Sequence, residues 1–148
     1  MSLTAPSGYR HYISIPIRFN DLDALGHVNN AIYLTFMESA RIAYLRELGL
    51  WLAVGERFGP IMAKATVDYR SALVLADEQA HIYSRCSRLG NKSFEMEHLI
   101  LRASDGATAA YGVIVGVAYD YVENQSIPIP DEWRVKIVQY EPTLSDSG

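Results

Sequence analysis

The stretch Asp21-Leu-Asp-Ala-Leu-Gly-His-Val-Asn-Asn30 gathers two carboxylates, a glycine, a histidine and two asparagines just ahead of a long apolar run. A carboxylate beside the start of a helix can attack a carbonyl carbon, or activate water to do so. Free backbone N–H groups at the helix end then hold the carbonyl oxygen. Asp23 is the candidate carboxylate, and either role needs it ionised and partly shielded from water. The ordinary alternative is a turn Asp that accepts hydrogen bonds from its own loop. Asp21 points away from Asp23 if the stretch is extended, and reads as structural. Two ionised carboxylates in one pocket would raise a pKa, which a nucleophile does not need. His27 reads as a group that orients the loop rather than one that transfers a proton. Gly26 suits a turn position with positive φ.

These residues must be positioned by their flanks. Tyr9 to Phe19 reads as a strand, and Pro16 within it implies an edge position or a bulge. Asn29 or Asn30 is a plausible N-cap. A helix then runs to about Leu48, where Gly49 supplies a stop. Leu34, Met37, Tyr44, Leu45 and Leu48 form one stripe, and Ala31, Ile32, Tyr33, Phe36, Ile42 and Ala43 cover much of the rest. A helix apolar nearly all round is a buried helix. Met62 to Leu73, Gln79 to Leu89, Ser93 to Ala103 and Thr108 to Tyr121 read as strands, with hairpin turns at Gly90-Asn91 and Ser104-Asp105-Gly106. The last strand carries Tyr111, Val113, Val115, Val117, Tyr119 and Tyr121 on one face. Ala110, Gly112, Ile114, Gly116 and Ala118 are on the other. That small-residue face lets another backbone come close, and the buried helix is the obvious candidate. Asp131 to Tyr140 is a C-terminal helix or an edge strand, and the polar tail from Glu141 is expected to fray. One strand, one buried helix and an antiparallel meander make an α+β layer arrangement, which periodicity alone does not separate from other α+β sandwiches.

Composition narrows the classes. A chain of 148 residues with 49% hydrophobic and 20% charged residues is expected to be one domain with a real core. The net charge of -4 argues against a nucleic-acid surface. Cys86 is the single cysteine, so no intrachain disulfide forms, which fits a reducing compartment or a buried thiol. His11, His81 and His98 show no metal-binding spacing, so no metal is expected. No run approaches the roughly 18 apolar residues of a membrane span, and Met1 to Gly8 lacks a signal-peptide core. The expectation is a cytoplasmic protein.

The pattern D-x-D-x-x-G-H-V-N-N-x-x-Y from Asp21 to Tyr33 closely resembles the signature of the 4-hydroxybenzoyl-CoA thioesterase-like branch of the hotdog superfamily. The resemblance extends from about residue 9 to residue 140. It implies a hotdog fold, an antiparallel five-stranded sheet wrapped around one long buried helix, as a single domain over 1–148. It implies an acyl-CoA thioesterase in which Asp23 is nucleophile or general base. The backbone N–H of Asn30 would polarise the thioester carbonyl. Some relatives carry His or Tyr at this position, so only the backbone role transfers to Asn30. Here His27 shapes the loop and the helix start.

Further site residues follow from the same likeness. Arg88-Leu-Gly-Asn-Lys-Ser-Phe94 resembles the family's R-x-G-x-x-S-F hairpin beside the acyl-CoA cleft, which brings in Arg88, Asn91, Lys92 and Ser93. Val67-Asp-Tyr-Arg70 resembles the strand that lines the cleft from the neighbouring subunit. Arg70, Arg88 and Lys92 suit phosphate, although strand-borne surface charges are usually only solvated. Tyr33, Phe36, Met37 and Trp51 are candidate pocket residues, with core packing as the default. The substrate is an acyl-CoA or other phosphopantetheine thioester, with CoA part of the substrate and no retained cofactor. The assembly is a homodimer or a dimer of dimers. Glu38 is an alternative catalytic acid, because another hotdog branch carries its acid on the helix. With Arg41 at i+3, a helix-face ion pair is its ordinary role. An enoyl- or hydroxyacyl-thioester hydratase and a non-catalytic acyl-binding module are the competing functions. The acyl group is not specified.

Overall fold

The computed structural model describes residues 5–50 and 53–144. Its order is β1 (His11–Pro16), α1 (Ile32–Glu47), β2 (Phe58–Tyr69), β3 (Gln79–Leu89), β4 (Ser93–Arg102), β5 (Thr108–Asp120), β6 (Gln125–Ser126) and α2 (Asp131–Tyr140). The strands form one antiparallel sheet in the order β1-β3-β4-β5-β2, with the two-residue β6 added on β5. The sheet packs on α1, as a hotdog fold requires. β1 is an edge strand, which is where Pro16 belongs.

β3, β4 and β5 match their expected spans closely. β2 does not: it runs from Phe58 to Tyr69, four residues earlier at each end than the expected Met62 to Leu73. Its C-terminal residues are taken by the Asp23 loop. Val28 N–H donates to the Leu73 carbonyl at 2.8 Å, and His27 bridges Val74. A strand cannot give the same backbone groups to two partners.

The helix start is also corrected. Ala31 is the N-cap and contributes no side-chain bond. Asn29 instead forms a turn just before it, its Oδ1 accepting Ala31 N–H at 2.9 Å and its carbonyl accepting Ile32 N–H at 2.9 Å. The helix stops as expected at Gly49, whose φ is +75°. Leu50 N–H reaches the Leu45 carbonyl and Gly49 N–H that of Arg46, which is a Schellman closure.

α1 is not buried all round. Tyr33, Phe36, Met37, Ala40, Arg41 and Tyr44 are buried, at helical spacing on one face. Leu34, Thr35, Glu38 and Ser39 are exposed in the single chain. The face that meets the sheet is selected by β5. Ala110, Gly112, Ile114, Gly116 and Ala118 are all buried beneath it. A Cβ at Gly112 would lie 2.2 Å from Met37 Sδ, so the expected close approach of the helix is met there. At Gly116 the neighbour is different. A Cβ would lie 2.4 Å from Cζ of Phe94, the residue paired with it across β4.

The other end of the sheet is closed by α2, which resolves the choice between helix and edge strand. Trp133 and Ile137, one turn apart, bury against Tyr44, Leu89, Phe94 and Met96. The chain beyond α2 does not fray at Glu141. Its carboxylate is buried and accepts the Tyr44 hydroxyl at 2.9 Å and the Cys86 N–H at 2.7 Å. Burial pushes this carboxyl above its ordinary value, against the opposing pull of those bonds. The Cys86 thiol is pushed up to about 12 by burial, so it stays protonated.

Candidate active site

The loop from Asp21 to Asn30 is held by its first carboxylate. Asp21 is 1% exposed and accepts Arg18 N–H at 2.8 Å and the Arg18 guanidinium at 2.9 and 3.3 Å. Burial pushes its carboxyl up, but the Arg18 bonds outweigh that and hold it below its ordinary value. The Asp21 carbonyl also accepts Asn29 N–H at 2.8 Å, closing the base of the loop. The structural reading of Asp21 is the right one.

Asp23 sits at the exposed turn. Its Oδ1 accepts Leu25 N–H at 2.9 Å and His27 N–H at 3.1 Å. Its backbone N–H donates to the His27 carbonyl, and its carbonyl accepts Gly26 N–H. Gly26 has φ of +78°, the conformation expected of it. Oδ1 is therefore fixed, while no described residue donates to Oδ2. This is the bonding of a turn Asp and equally that of a pre-oriented carboxylate. His27 is joined to Asp23 through its backbone, its N–H donating to Oδ1 and its carbonyl accepting the Asp23 N–H.

Asn30 follows directly. The N–H groups beside it are engaged, Asn29 with Asp21 and Ala31 with Asn29. The Asn30 N–H itself donates to no described residue, and Asn30 is exposed. An unpaired N–H ahead of a helix start is a donor available to an oxyanion. The Asn30 carbonyl accepts the Tyr69 hydroxyl at 2.8 Å. Tyr69 in turn packs edge-on against Tyr33 at 5.2 Å, and Tyr33 against Phe36 at 6.3 Å. Tyr33 is 3% exposed, so it supports this corner as a core residue. Phe36 and Met37 are core residues too, and Trp51 lies outside the described residues.

Within one chain the remaining site residues divide. Arg70 lies at the Asp23 end, next to Tyr69, with its guanidinium 3.9 Å from the Asp68 carboxylate. Arg88, Asn91, Lys92 and Ser93 lie at the opposite end. The Asp23 loop is tied to Leu73 and Val74, just before β3 begins at Gln79, whereas the hairpin follows its end at Leu89. A strand of that length carries the hairpin roughly 30 Å away. There the Asn91 carbonyl accepts Ile129 N–H, anchoring the lead into α2, and that of Lys92 accepts Ala118 N–H of β5. Arg88 lines a polar cavity of about 430 Å³ with Arg85, Glu97 and Glu141. A single chain thus brings together Asp23, His27, Asn30, Tyr33 and Arg70, but not the hairpin.

A larger cavity, about 670 Å³, was not evident in the sequence. It lies between α1 and the start of β2, with Glu38, Arg41, Ile42 and Leu45 on one side and Phe58 and Met62 on the other. The only hint is that α1 stays apolar outside its core stripe. Among the described residues, no group of three or more His, Cys, Asp or Glu is arranged to hold a metal. No helix among them is long and apolar enough to cross a membrane.

The model of the thioesterase-like superfamily matches residues 17–137. The chain is 29% identical over 127 residues to the long-chain acyl-CoA thioesterase FadM of Escherichia coli, covering 84% of this chain and 95% of that one. Among solved structures, a thioesterase from Thermus thermophilus complexed with coenzyme A and Zn superposes with a TM-score of 0.80. It is 35% identical, with coverage of 93% and 98%. The gentisyl-coenzyme A thioesterase BH1999 gives a TM-score of 0.77 at 27% identity, with coverage of 85% and 98%. By the match of its fold and of most of its length, this chain belongs to the thioesterase-like superfamily of hotdog proteins.

Proposed function

We propose that the chain hydrolyses acyl-CoA thioesters, with Asp23 as nucleophile or general base and the Asn30 N–H holding the carbonyl oxygen. The observation that carries this reading is the unpaired Asn30 N–H on the same short loop as a carboxylate with one oxygen fixed and the other unengaged. In the general-base route, Asp23 takes a proton from water as its oxygen bonds to the thioester carbon. The oxyanion forms against the N–H donor and the positive end of α1. Its collapse breaks the C–S bond, and the CoA thiolate recovers the proton. In the nucleophilic route the carboxylate attacks the same carbon and expels the CoA thiolate, giving a mixed anhydride; water then cleaves the anhydride to the free acid and the Asp23 carboxylate, and its proton goes to the thiolate.

The relatives support the carrier. FadM and BH1999 are both named for coenzyme A thioesters, yet their acyl groups differ, so the family does not transfer an acyl group to this chain. CoA enters as part of the substrate, and no cofactor is retained. The separation of the hairpin from Asp23 within one chain supports a site completed across two copies. Asp23 and Asn30 would come from one copy, and Arg88, Asn91, Lys92 and Ser93 from its partner. β2 supplies a route to pairing, because among the described residues it pairs as a strand only with β5, which leaves its other edge open.

The test is release of free thiol from short, long, branched and aromatic acyl-CoAs. Thiol release from at least one, abolished by Asp23→Asn, is the expected result. Loss of enoyl absorbance without thiol would make the protein a hydratase, and tight acyl-CoA binding without turnover a binding module.

A further inference from the structure

A line of residues on β2 and α1 joins the large cavity to the proposed reaction centre. In register, Tyr69, Val67, Ala65, Met62, Pro60 and Phe58 of β2 stand opposite Ala110, Gly112, Ile114, Gly116, Ala118 and Asp120 of β5. Directly paired residues share a face, so these β2 residues lie on the helix side of the sheet. Tyr69 touches Asn30, and Met62, Pro60 and Phe58 line the cavity. The facing line on α1 is Leu34, Glu38, Arg41, Ile42 and Leu45, of which all but Leu34 line the cavity and Leu34 is 42% exposed. The line therefore runs from the helix N-terminus into the cavity.

One lining group is out of place. Arg41 is only 9% exposed in a largely apolar cavity. Its guanidinium makes no hydrogen bond to any described residue, and its nearest carboxylate, Glu38, is 3.9 Å away and 64% exposed. Arg57, in the same cavity, shows the contrast: it is bonded through two nitrogens to Asp120 at 3.1 and 2.9 Å. A buried guanidinium without acceptors is costly, and its planar fork fits a carboxylate. An apolar sleeve closed by such a cation suits an apolar chain that ends in an anion.

We infer that Arg41 binds a carboxylate at the far end of the acyl group, so that the preferred substrates are ω-carboxyacyl thioesters. This rests on the thioesterase reading given above. Arg41 lies ten residues beyond Ala31, which is about 15 Å along the helix axis. Its side chain leans back toward the N-terminus, which shortens the span to roughly 10–15 Å. An extended chain advances about 1.25 Å per carbon, so the acyl group has about 8–12 carbons.

The experiment compares kcat/KM for the CoA monothioester of decanedioate, decanoyl-CoA and 10-hydroxydecanoyl-CoA. The proteins are the parent, Arg41→Gln and Arg41→Lys. The parent should prefer the carboxylate-ended substrate over decanoyl-CoA by about tenfold or more, the range of a charge-assisted pair. Arg41→Gln should bring that ratio near one, and Arg41→Lys, which keeps the charge without the fork, should retain part of it. Equal kcat/KM in the parent, a preference that survives Arg41→Gln, or a stronger preference for the hydroxyl would overturn the assignment. If no substrate releases thiol, the thioesterase reading fails by itself, and calorimetry with free decanoate decides the site. Binding at least tenfold weaker in Arg41→Gln would support it. No binding, or equal binding, would overturn it.

Discussion

Replacing Asp23 with Asn separates the two meanings of its geometry. Oδ1 of Asp23 accepts two backbone N–H groups, from Leu25 and His27. An Asn side-chain oxygen can accept both, because Asn makes the same kind of turn. What is lost is the charge. A charge-assisted bond is about twice as strong as a neutral one, so two exposed bonds weaken by about 1–2 kcal/mol together. In a chain of this size that lowers Tm by only about 2–8 °C. The effect on chemistry is of another order. Removing a general base costs at least ~10²-fold in kcat, or about 2.7 kcal/mol, and removing a nucleophile costs more. Asp23→Asn should therefore fold like the parent and release thiol at least ~10²-fold more slowly. Asp23→Ala is the poorer test, because it also leaves the Leu25 and His27 N–H groups without their acceptor. The assay is continuous detection of free thiol, with a thermal melt on the same preparation. An Asn variant within a few-fold of the parent would refute the catalytic role and leave Asp23 a turn residue. Glu38→Gln would then be next, since Glu38 is exposed at the cavity beside Arg41.

Mixing Asp23→Asn with a variant carrying Glu at both Arg88 and Lys92, each inactive alone, should restore part of the activity if chains exchange; mixtures that stay inactive despite demonstrated exchange would mean that each chain builds its own site. Gly116→Ala should destabilise by about 1–3 kcal/mol and more than Gly112→Ala, because the first meets a Phe94 ring and the second the flexible end of Met37; urea melts check the order. His98 is buried, and burial first, then the charges of Arg41 and His11, push it down to about 3 from an ordinary 6.5. A histidine held neutral in the fold contributes stability that is present above pH 6.5 and lost as pH falls toward 3. Thermal melts from pH 7.5 to 4.5 should therefore show a falling Tm, and a flatter fall in His98→Gln, whose amide can keep the bond to Ser84.

The local part of this protein was legible in its sequence. The spacing from Asp21 to Tyr33 marked the loop, Gly26 its turn and Gly49 the helix stop, because each depends on backbone preferences within a few residues. Alternation along β5 separated the buried Ala110, Gly112 and Ile114 from the outer Tyr111 and Val113, since side chains in a strand change face at every residue. Tertiary structure decided what local pattern leaves open. An almost uniformly apolar α1 has no sequence signal for its inner face, and contact with Gly112 selected Met37 and left Leu34 and Glu38 outside. Gly116 was filled by Phe94 rather than the helix, a choice made by the β4–β5 register. Glu141 read as a polar tail but is buried, because α2 delivers it to Tyr44 and Cys86, which are distant in sequence. The hairpin and the Asp23 loop are expected in one cleft drawn from two chains, and only the strand layout shows that a full strand length separates them within a single chain. Arg41 read as one half of a helix-face ion pair with Glu38, and packing against the sheet removed it from water. In each case the deciding contact joins residues far apart in the chain, and their distance is set by strand register and layer packing rather than by any local preference.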